Sequence, residues 1–386
     1  MPIFFLILGI YFLANFWLIA RLFFALQGAG IFRILSCLFV SFASCAYLLA
    51  RMLEGNAWPE RLIALIGSLW ISLALYSIIL LFAVDVFRLL NRSFHWLPQL
   101  NSGMPAVRYA VCAAIAAGAL TISVIGWINT ATPVVREVEL SLSTPPGSAL
   151  EGRTLKIAAL SDIHLGRMVS AGYFSGLIDL IEPQHPDLLL FLGDVLDDHH
   201  GLDEKAMRAG LQRMNPPLGI WGILGNHEYI SGEAEKSIGI LERSGIRILR
   251  DQWAAPGGEL LLVGRDDRSK ERFTGRTRAA LPEILATVPE GTRRLPMILL
   301  DHQPLHLEEA EAAGAALQLS GHTHGGQLFP INFIVSAIYE NAHGHSQRGM
   351  THYWVTSGAG TWGPRVRTAG RPEILLIKIK FDALPQ

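Results

Sequence analysis

Four long apolar runs occupy the first third of the chain and limit what it can fold into. Arg108 is the only charged residue within these runs, which cover residues 2–20, 34–50, 62–84 and 107–128. At roughly 17 to 23 residues, each has the length that a helix needs to cross the bilayer core. Aromatic residues lie near their ends, as is usual at membrane interfaces. The pattern predicts four transmembrane helices over residues 1–132 and disfavours the alternative, buried helices of a large soluble α domain.

The composition excludes several other classes of protein. A mean hydropathy of +0.34 is too high for an ordinary soluble protein of this size. The first run has no basic segment before it and no small-residue cleavage site before Arg21, so we expect it to be retained rather than removed as a signal peptide. The net charge of −1 supplies no basic field for a nucleic-acid partner. All three cysteines lie in the apolar runs, so the remainder has neither disulfides nor cysteine metal ligands.

Arginines beside the runs predict an orientation in the membrane, because basic residues accumulate on the cytoplasmic side. Five arginines flank the first and third loops and three flank the other side: Arg21, Arg33, Arg88, Arg92 and Arg108 against Arg51, Arg61 and Arg136. With four spans, both termini would then lie outside. We therefore expect a multi-pass protein of the bacterial inner membrane with its C-terminal domain on the periplasmic face.

After the apolar runs, the pattern changes to that of a layered α/β domain. Residues 133–153 contain Pro133, Pro145 and Pro146 and are interpreted as a linker. Short apolar runs of strand length follow at 155–160, 187–192, 219–224, 246–250, 259–264, 297–301, 353–357 and 374–380. Helical patterns at 172–182 and 203–214 alternate with the early strands. We therefore expect an α/β domain over residues 154–386.

Polar motifs follow several of these strands, at the point where each strand ends. In layered α/β domains, loops converge at the carboxyl ends of strands, so residues distant in sequence meet there. A single Asp-x-His or His-x-His motif is more often structural than metal-binding, but five motifs in one order indicate a common site. Its candidate residues are Asp162, His164, Asp194, Asn226, His227, His302, His322 and His324.

These residue types match the needs of two adjacent divalent ions. Such a pair requires several neutral imidazoles, a few carboxylates to offset the charge and one ligand shared between the ions. Glycines at positions 193, 225 and 321 would let the backbone turn beside the ions. Histidine, aspartate and asparagine ligands suit Mn, Fe or Zn, so the sequence predicts two divalent metal ions without fixing their identity.

The order Asp-x-His, Gly-Asp, Gly-Asn-His-Glu, His and Gly-His-x-His resembles the calcineurin-like metallophosphoesterase superfamily across residues 155–380. The resemblance implies a two-sheet β sandwich flanked by helices, with the site at one edge. It implies one ion held by Asp162, His164 and His324, a second held by Asn226, His302 and His322, and Asp194 bridging them. His227 would contact the phosphate or assist the leaving oxygen. The implied reaction is attack of a metal-bridging hydroxide on phosphorus.

A narrower resemblance is carried by the residues around and after the last motif. The Gly-Gly-Gln sequence at 325–327, the apolar segment 328–339 and the C-terminal segment 357–374 look like those of membrane-associated bacterial phosphoesterases. That group includes broad phosphodiesterases and the enzyme that cleaves UDP-2,3-diacylglucosamine in lipid A synthesis. The resemblance implies contact with membrane lipids and a lipid-linked phosphate as substrate.

Several residues near the motifs allow more than one interpretation. The apolar residues of 329–339 form either a lip that enters lipid or ordinary core packing. Arg365 and Arg367 either contact substrate phosphate or lie in a solvated loop. Asp301 and Glu228 are interpreted as hydrogen-bond partners of the metal-binding imidazoles. Three further histidines are interpreted as polar loop sequence rather than a third metal site: His343, His345 and His352.

Together these patterns favour a membrane-anchored, two-metal hydrolase of phosphodiester or pyrophosphate bonds that acts on a lipid-linked or membrane-proximal substrate. Two alternatives remain. One is a broad phosphodiesterase or phosphatase for soluble substrates, and the other is a metal-dependent binding domain without catalysis. The complete set of motif residues argues against the binding domain.

Overall fold

The computed structural model describes residues 2–53, 55–97, 103–144, 148 and 150–383. The chain divides into two compact units. The first comprises Met1–Ile128 with Gly363–Thr368, and the second comprises Asn129–Trp362 with Ala369–Gln386. Pro145 and Pro146, on which the linker prediction partly rests, lie outside the described residues.

The first unit is built from four long helices. Each contains one of the apolar runs, and each is long and apolar enough to cross a membrane. They are α1 (Pro2–Ala25), α2 (Ile31–Met52), α3 (Trp58–Phe94) and α4 (Pro105–Thr130). The prediction of four apolar helices of spanning length is confirmed.

Small and polar residues hold these helices together. Gly67 of α3 lies against α2 so closely that a Cβ would come within 2.1 Å of the Tyr47 nitrogen. Close approach at small residues is typical of membrane helices, whose association gains little from the hydrophobic effect. The buried Asn15 of α1 accepts a hydrogen bond from the indole N–H of Trp70 at 2.7 Å. The polar group of Asn15 is therefore satisfied inside the bundle.

A short segment from far along the chain, Gly363–Thr368, belongs to this helical unit. The Ser68 hydroxyl donates to the Gly363 carbonyl at 3.0 Å, and the Arg367 backbone N–H donates to the Gly126 carbonyl at 2.9 Å. Arg367 is fully buried. The solvated-loop interpretation is therefore wrong for Arg367, because its backbone bonds to α4 and draws the residue into the packed unit.

The second unit contains two six-stranded sheets. The strands are β1 (Val134–Thr144), β2 (Thr154–Leu160), β3 (Leu188–Leu192), β4 (Ile220–Ile223), β5 (Arg247–Ile248), β6 (Gln252–Ala254), β7 (Leu261–Gly264), β8 (Met297–Leu300), β9 (Leu317–Ser320), β10 (Gly344–Arg348), β11 (Thr351–Val355) and β12 (Glu373–Ala383). Their order is β1-β12-β2-β3-β4-β5 in one sheet and β10-β11-β9-β8-β7-β6 in the other. Most neighbouring strands pair in parallel, so many of their carboxyl ends share one edge.

Nine α-helices are described in the second unit. They are α5 (Ala171–Ile181), α6 (Glu204–Gln212), α7 (Asn226–Ile230), α8 (Ala234–Arg243), α9 (Ser269–Thr274), α10 (Leu281–Ala286), α11 (Glu290–Arg293), α12 (Glu308–Ala312) and α13 (Ile331–Ile338). Of these, α5, α6 and α8 pack against one sheet, and α10 and α12 pack against the other. In β3, Leu188 and Leu190 pack with β7, β8 and β9 of the other sheet, whereas Leu189 and Phe191 pack with α5, α6 and α8. The strands are continuous apolar runs because both of their faces are buried. The two-sheet sandwich flanked by helices is confirmed.

The segment that the sequence suggested as a linker contains an edge strand. β1 pairs in parallel with β12 along its whole length, from Val134 opposite Glu373 to Thr144 opposite Ala383. Alternating residues of β1, including Leu140 and Leu142, enter the core between the sheets, while Glu139 reaches Lys380 in solvent. This period of two defines a strand with one buried face. The structure therefore differs from the expected boundary at 154, because the second unit already includes 134–144.

Candidate metal centre

Loops from five strands meet at one edge of the sandwich. The loops after β2, β3, β4, β8 and β9 carry Asp162 with His164, Asp194, Asn226 with His227, His302, and His322 with His324. The first two loops run side by side, since the Asp162 N–H donates to the Gly193 carbonyl at 3.1 Å and the His164 N–H donates to the Asp194 carbonyl at 3.0 Å. Six of the eight candidate residues follow strands that the sequence predicted. His322 and His324 follow β9, a strand that was not among the predicted ones.

The structure gathers the histidines and aspartates into three overlapping groups. Within each group, one ligand atom per residue lies within 4.8 Å of the others. Asp194 belongs to two groups and His164 to two, so the groups form one continuous cluster. The groups are Asp162–His164–His324, His164–Asp194–His227 and Asp194–His302–His322.

Imidazole and carboxylate groups lie unusually close together within the cluster. His164 Nε2 and His324 Nε2 are 3.1 Å apart, and His324 Nε2 is 3.4 Å from Asp162 Oδ1. On the other side, His302 Nε2 is 3.2 Å from Asp194 Oδ2. Nitrogen and oxygen lone pairs aimed at one small volume are the arrangement that a divalent cation stabilises.

Asn226 and His302 reach the same side of the cluster. His322 Nδ1 is 2.7 Å from Asn226 Oδ1, which places the amide oxygen among the imidazoles. His302 Nδ1 donates to the Leu192 carbonyl at 2.7 Å and so fixes the ring. The opposite nitrogen, His302 Nε2, is buried and faces Asp194, and it has no hydrogen-bond partner among the residues described. A hydrogen bond at one ring nitrogen orients an imidazole so that the other can bind a metal.

The backbone at the cluster adopts a conformation that ordinary residues rarely accept. Five of the candidate ligands have positive φ angles: Asp162 at 54°, His164 at 57°, Asp194 at 51°, His322 at 71° and His324 at 51°. Each such residue costs of order 1–3 kcal/mol, and this strain concentrates at functional sites. The surrounding sandwich holds these side chains where relaxed loops would not place them.

Gly225 allows two of the loops to touch. A Cβ at this position would lie 2.1 Å from Asp194 Oδ1 and 2.6 Å from the Asp194 nitrogen. The sequence suggested a sharp turn at this glycine, whereas the structure shows close approach of another loop at an ordinary φ of −106°. Any side chain at 225 would push Asp194 out of the cluster.

Burial controls the charges of the site. It lowers the pKa of both His164 and His322 to about 3, so these imidazoles are neutral at pH 7, as metal ligation requires. Burial also raises the pKa of Asp162 to about 6. Burial opposes charge on Asp194 and His302 as well, but their mutual attraction outweighs it, so the pKa of Asp194 falls well below its usual value and that of His302 rises well above. The negative charge of Asp194 therefore favours positively charged groups at the centre of the cluster.

Two acidic residues have partners other than those suggested by the sequence. Glu228 accepts backbone N–H groups from Gly225, Asp194 and Leu196 at 2.8, 3.1 and 3.0 Å. Burial and the charge of Asp194 raise the pKa of Glu228 to about 7. Asp301 accepts from Arg278 at 2.9 Å. Glu228 therefore holds loop backbones in place and Asp301 pairs with an arginine side chain, so among the described residues neither has the imidazole partner that the sequence suggested.

An aspartate and an aromatic residue at the site escaped the sequence interpretation. Asp197 Oδ1 lies 2.7 Å from His227 Nδ1. Trp362 places its ring 5.9 Å from that of His227, and it is held by Gln327, whose amide donates to the Trp362 carbonyl at 2.9 Å while accepting its N–H at 3.1 Å. The only sequence signal for Asp197 is its place three residues after Asp194.

The apolar segment after the Gly-His-x-His run forms an exposed helix. No residue of α13 is buried. Phe333, Ile334 and Ile338 are each at least 60 % exposed, and Phe329 is half exposed. Tyr339, which ends the helix, lies 6.1 Å from the His322 ring. The core-packing interpretation is therefore wrong for these four residues, and an apolar surface lies beside the cluster.

The remaining histidines do not extend the cluster. His345 Nε2 lies 3.0 Å from His352 Nδ1, and His343 Nε2 lies 3.1 Å from Glu373 Oε1. In the part of the chain that the structure describes, no group of three ligands forms around them. This agrees with their interpretation as loop sequence.

The observed donors fit divalent metal ions. The cluster offers the neutral imidazoles of His164 and His322, the imidazoles of His302 and His324, two buried carboxylates and an amide oxygen. A donor set this rich in nitrogen and oxygen suits divalent metal ions. Asp194 and His164 each belong to two of the groups. The cluster can therefore hold divalent metal ions.

Comparisons with known proteins agree with this chemistry. A family model for calcineurin-like phosphoesterases matches residues 155–326. A transmembrane protein with metallophosphoesterase domain from Danio rerio is 32% identical over 335 residues, which cover 81% of this chain and 74% of that protein. An uncharacterized metallophosphoesterase from Aquifex aeolicus is 34% identical over 233 residues, 60% of this chain and 87% of that protein. A solved 5'-nucleotidase precursor from Thermus thermophilus has 17% identity and a TM-score of 0.33 over 58% of this chain and 55% of that one. The chain belongs to the calcineurin-like metallophosphoesterase family.

Proposed function

We propose that this protein is a membrane-attached phosphoesterase that hydrolyses a phosphodiester or pyrophosphate bond in a lipid-linked or membrane-proximal substrate. The observation that carries the proposal is the buried cluster of metal-ligating side chains directly beside the exposed apolar helix α13. The four apolar helices attach the protein to the membrane. We place the protein in a bacterial inner membrane, where the arginine distribution favours the periplasmic face for the second unit.

The ligand groups divide between two ions. Asp162, His164 and His324 would hold one, and Asn226, His302 and His322 would hold the other, with Asp194 shared. Two divalent ions lower the pKa of bound water and offset charge on the attacking and leaving oxygens. The cluster geometry alone would also admit His227 as a ligand of the first ion. Its hydrogen bond to Asp197 supports a different role.

His227 is the general acid in this proposal. Asp197 accepts its Nδ1 proton at 2.7 Å, which fixes the ring and stabilises the doubly protonated imidazolium. Nε2 would donate a proton to the oxygen of the leaving group as the bond to phosphorus breaks. A positioned acid of this kind contributes on the order of 10²–10⁴ in rate. Trp362, beside the His227 ring, provides an aromatic surface for the leaving group.

The surroundings of the cluster favour a substrate with apolar groups. α13 and the residues before it present Phe329, Phe333, Ile334 and Ile338 to solvent, and the ring of Phe333 packs 5.7 Å from that of Phe329. Exposing such residues in water is unfavourable, and contiguous apolar patches mark contacts with lipids or partners. The surface begins five residues after the last ligand in sequence. We assign it to the acyl chains of the substrate or to the adjacent lipid surface.

The test compares two substrates on the same enzyme. Detergent-purified full-length protein with Mn²⁺ is assayed on a soluble aryl phosphodiester and on a diacylated nucleotide-sugar pyrophosphate, with Asp194→Ala as the blank. A double variant, Phe333→Ser with Ile334→Ser, should lower kcat/KM for the diacylated substrate by about tenfold and leave the soluble ester unchanged. Phe273→Ser, an exposed phenylalanine on α9, is the matched control.

Each outcome of the test separates the candidate functions. Preference for the diacylated substrate, lost in the α13 variant, supports the proposal. Equal cleavage of both substrates, with no effect of the α13 variant, would favour a broad phosphodiesterase for soluble esters. Activity no higher than the Asp194→Ala blank on either substrate, at full metal content, would favour the non-catalytic binding domain.

A further inference from the structure

A large cavity lies within the four-helix unit, far in sequence from the metal cluster. Its volume is about 790 Å³, and it is lined by residues of all four helices. Ligand sites in proteins typically have volumes of about 300–1,000 Å³. The cavity is therefore large enough for a sizeable part of a ligand.

The lining changes from apolar to charged along the bundle. One face of α3 supplies Trp70, Ser77, Leu81, Asp85 and Arg88 in that order, and Arg92 follows. These positions recur every three, four or seven residues, as expected for one helical face. At 1.5 Å per residue, Trp70 and Arg92 are about 33 Å apart along the helix. The cavity is thus elongated. Its charged residues lie toward one end, where apolar residues such as Leu89 also line it, and its lining toward Trp70 carries no charge.

The charged end carries more positive than negative groups. Arginines from α1, α3 and α4 line it, against a single aspartate. Arg21 pairs with Asp85 through two hydrogen bonds of 2.7 Å, which neutralises both. Three arginines are left without a carboxylate within 4.0 Å among the residues described: Arg88, Arg92 and Arg108.

These arginines retain donor capacity toward the cavity. The Nε atoms of Arg88 and Arg108, like that of Arg33, are buried and have no hydrogen-bond partner among the residues described; Arg88 and Arg108 differ from Arg33 in lining the cavity. Arg108 Nη1 donates a hydrogen bond to the side-chain oxygen of Gln27 at 3.1 Å. Arg88 and Arg108 are half-buried and Arg92 is exposed, so these guanidinium groups line the charged end of the cavity without being enclosed by the protein. The planar guanidinium group of arginine presents several N–H donors and can bind two phosphate oxygens at once, so it suits phosphate better than a lysine ammonium group would.

We propose that this cavity binds an anionic phospholipid, with its phosphate at Arg88, Arg92 and Arg108 and one acyl chain along α3 toward Trp70. A ligand with a phosphate at one end and a long apolar chain at the other matches the gradient of the lining. Free inorganic phosphate would satisfy only the arginines. The site is separate from the phosphoesterase chemistry and does not depend on it.

The positive-inside rule offers a simpler explanation for arginines at this end of the bundle, and Arg33 separates the two explanations. Arg33 lies at the same end but packs over the Phe23 ring at 4.2 Å and does not line the cavity. If the arginines only set the orientation of the protein in the membrane, replacing Arg33 would have the same effect on lipid binding as replacing Arg88 and Arg92. If they bind a headgroup inside the cavity, Arg33 would not contribute.

The test measures lipid binding to the full-length protein in detergent by native mass spectrometry. Dioleoylphosphatidylglycerol should bind at least about tenfold more tightly than dioleoylphosphatidylcholine, a difference of about 1.4 kcal/mol. The double variant Arg88→Gln with Arg92→Gln should remove this preference, while Arg33→Gln should keep it. Ala116→Phe, which places a ring in the apolar part of the cavity, should weaken binding of both lipids. Circular dichroism confirms that each variant is folded.

Three results would overturn the proposal. They are equal binding of the two lipids, an equal effect of Arg33→Gln and the Arg88–Arg92 double variant, and full displacement of the lipid by millimolar inorganic phosphate. Unaltered lipid binding by a folded Ala116→Phe variant would also contradict the assigned path of the acyl chain.

Discussion

The carboxylate of Glu373 joins four segments of the second unit. It accepts hydrogen bonds from Arg136 of β1 at 2.6 Å, His343 at 3.1 Å, Thr356 at 3.1 Å and the Ser357 backbone at 2.8 Å, with only 1 % of its side chain exposed. Burial alone would raise the pKa of Glu373. The bonds from His343, Ser357 and Arg136 outweigh burial and lower the pKa to about 2 from its ordinary 4.5.

The lowered pKa of Glu373 determines how much this carboxylate stabilises the folded protein and over which pH range. A lowering from 4.5 to about 2 corresponds to about 3 kcal/mol of folding free energy. Because the folded pKa is depressed, the contribution is fully present above pH 4.5 and is lost as the pH falls through 2. In a domain of this size, about 3 kcal/mol shifts the Tm by roughly 6–12 °C.

We therefore expect Glu373→Gln to lower the Tm by roughly 6–12 °C at about pH 7, and the deficit to shrink as the pH falls from 4.5 toward 2. The assay is thermal unfolding of the full-length protein in detergent, followed by tryptophan fluorescence, with EDTA present so that metal binding does not contribute. Glu137→Gln is the matched control, since Glu137 pairs with Lys378 in the same sheet but in solvent. A Tm unchanged at neutral pH, or a deficit independent of pH, would refute the reasoning.

Three further predictions concern the site and the membrane. Gly225→Ala should lose bound metal, measured by mass spectrometry of the metals, and with it activity, because the new Cβ would lie 2.1 Å from Asp194 Oδ1; Gly291→Ala, at a position with open space around it, should keep both. Asp197→Asn should lower kcat by up to about 10²-fold with unchanged metal content, and a full loss of metal instead would make Asp197 part of the ligand framework. Ser141 is exposed on β1, and a Ser141→Cys variant that lacks Cys37, Cys45 and Cys112 should react with an impermeant maleimide on intact spheroplasts. Labelling only after membrane disruption would place the second unit in the cytoplasm.

The apolar patterns and the motif order were enough to predict the main architecture. Apolar runs of spanning length can hardly be anything but long helices, and α1 to α4 cover all four. The polar residues after β2, β3, β4 and β8 pointed to one edge of the sandwich because the ends of neighbouring parallel strands are neighbours in space. β1 was missed because prolines and serines near its end concealed the alternation that places Leu140 and Leu142 in the core.

The sequence by itself determined that the chain has four membrane-length helices, a layered α/β unit and a set of metal-ligating residues, since these follow from local periodicity and residue type. Only the tertiary structure decided which groups support the ligands and what surrounds them. Glu228 binds loop backbones, Asp197 holds His227, and α13 turns its apolar side chains to solvent. Each of these arrangements depends on how loops that are distant in sequence pack against one another. Neither the residue type nor the spacing along the chain specifies that packing.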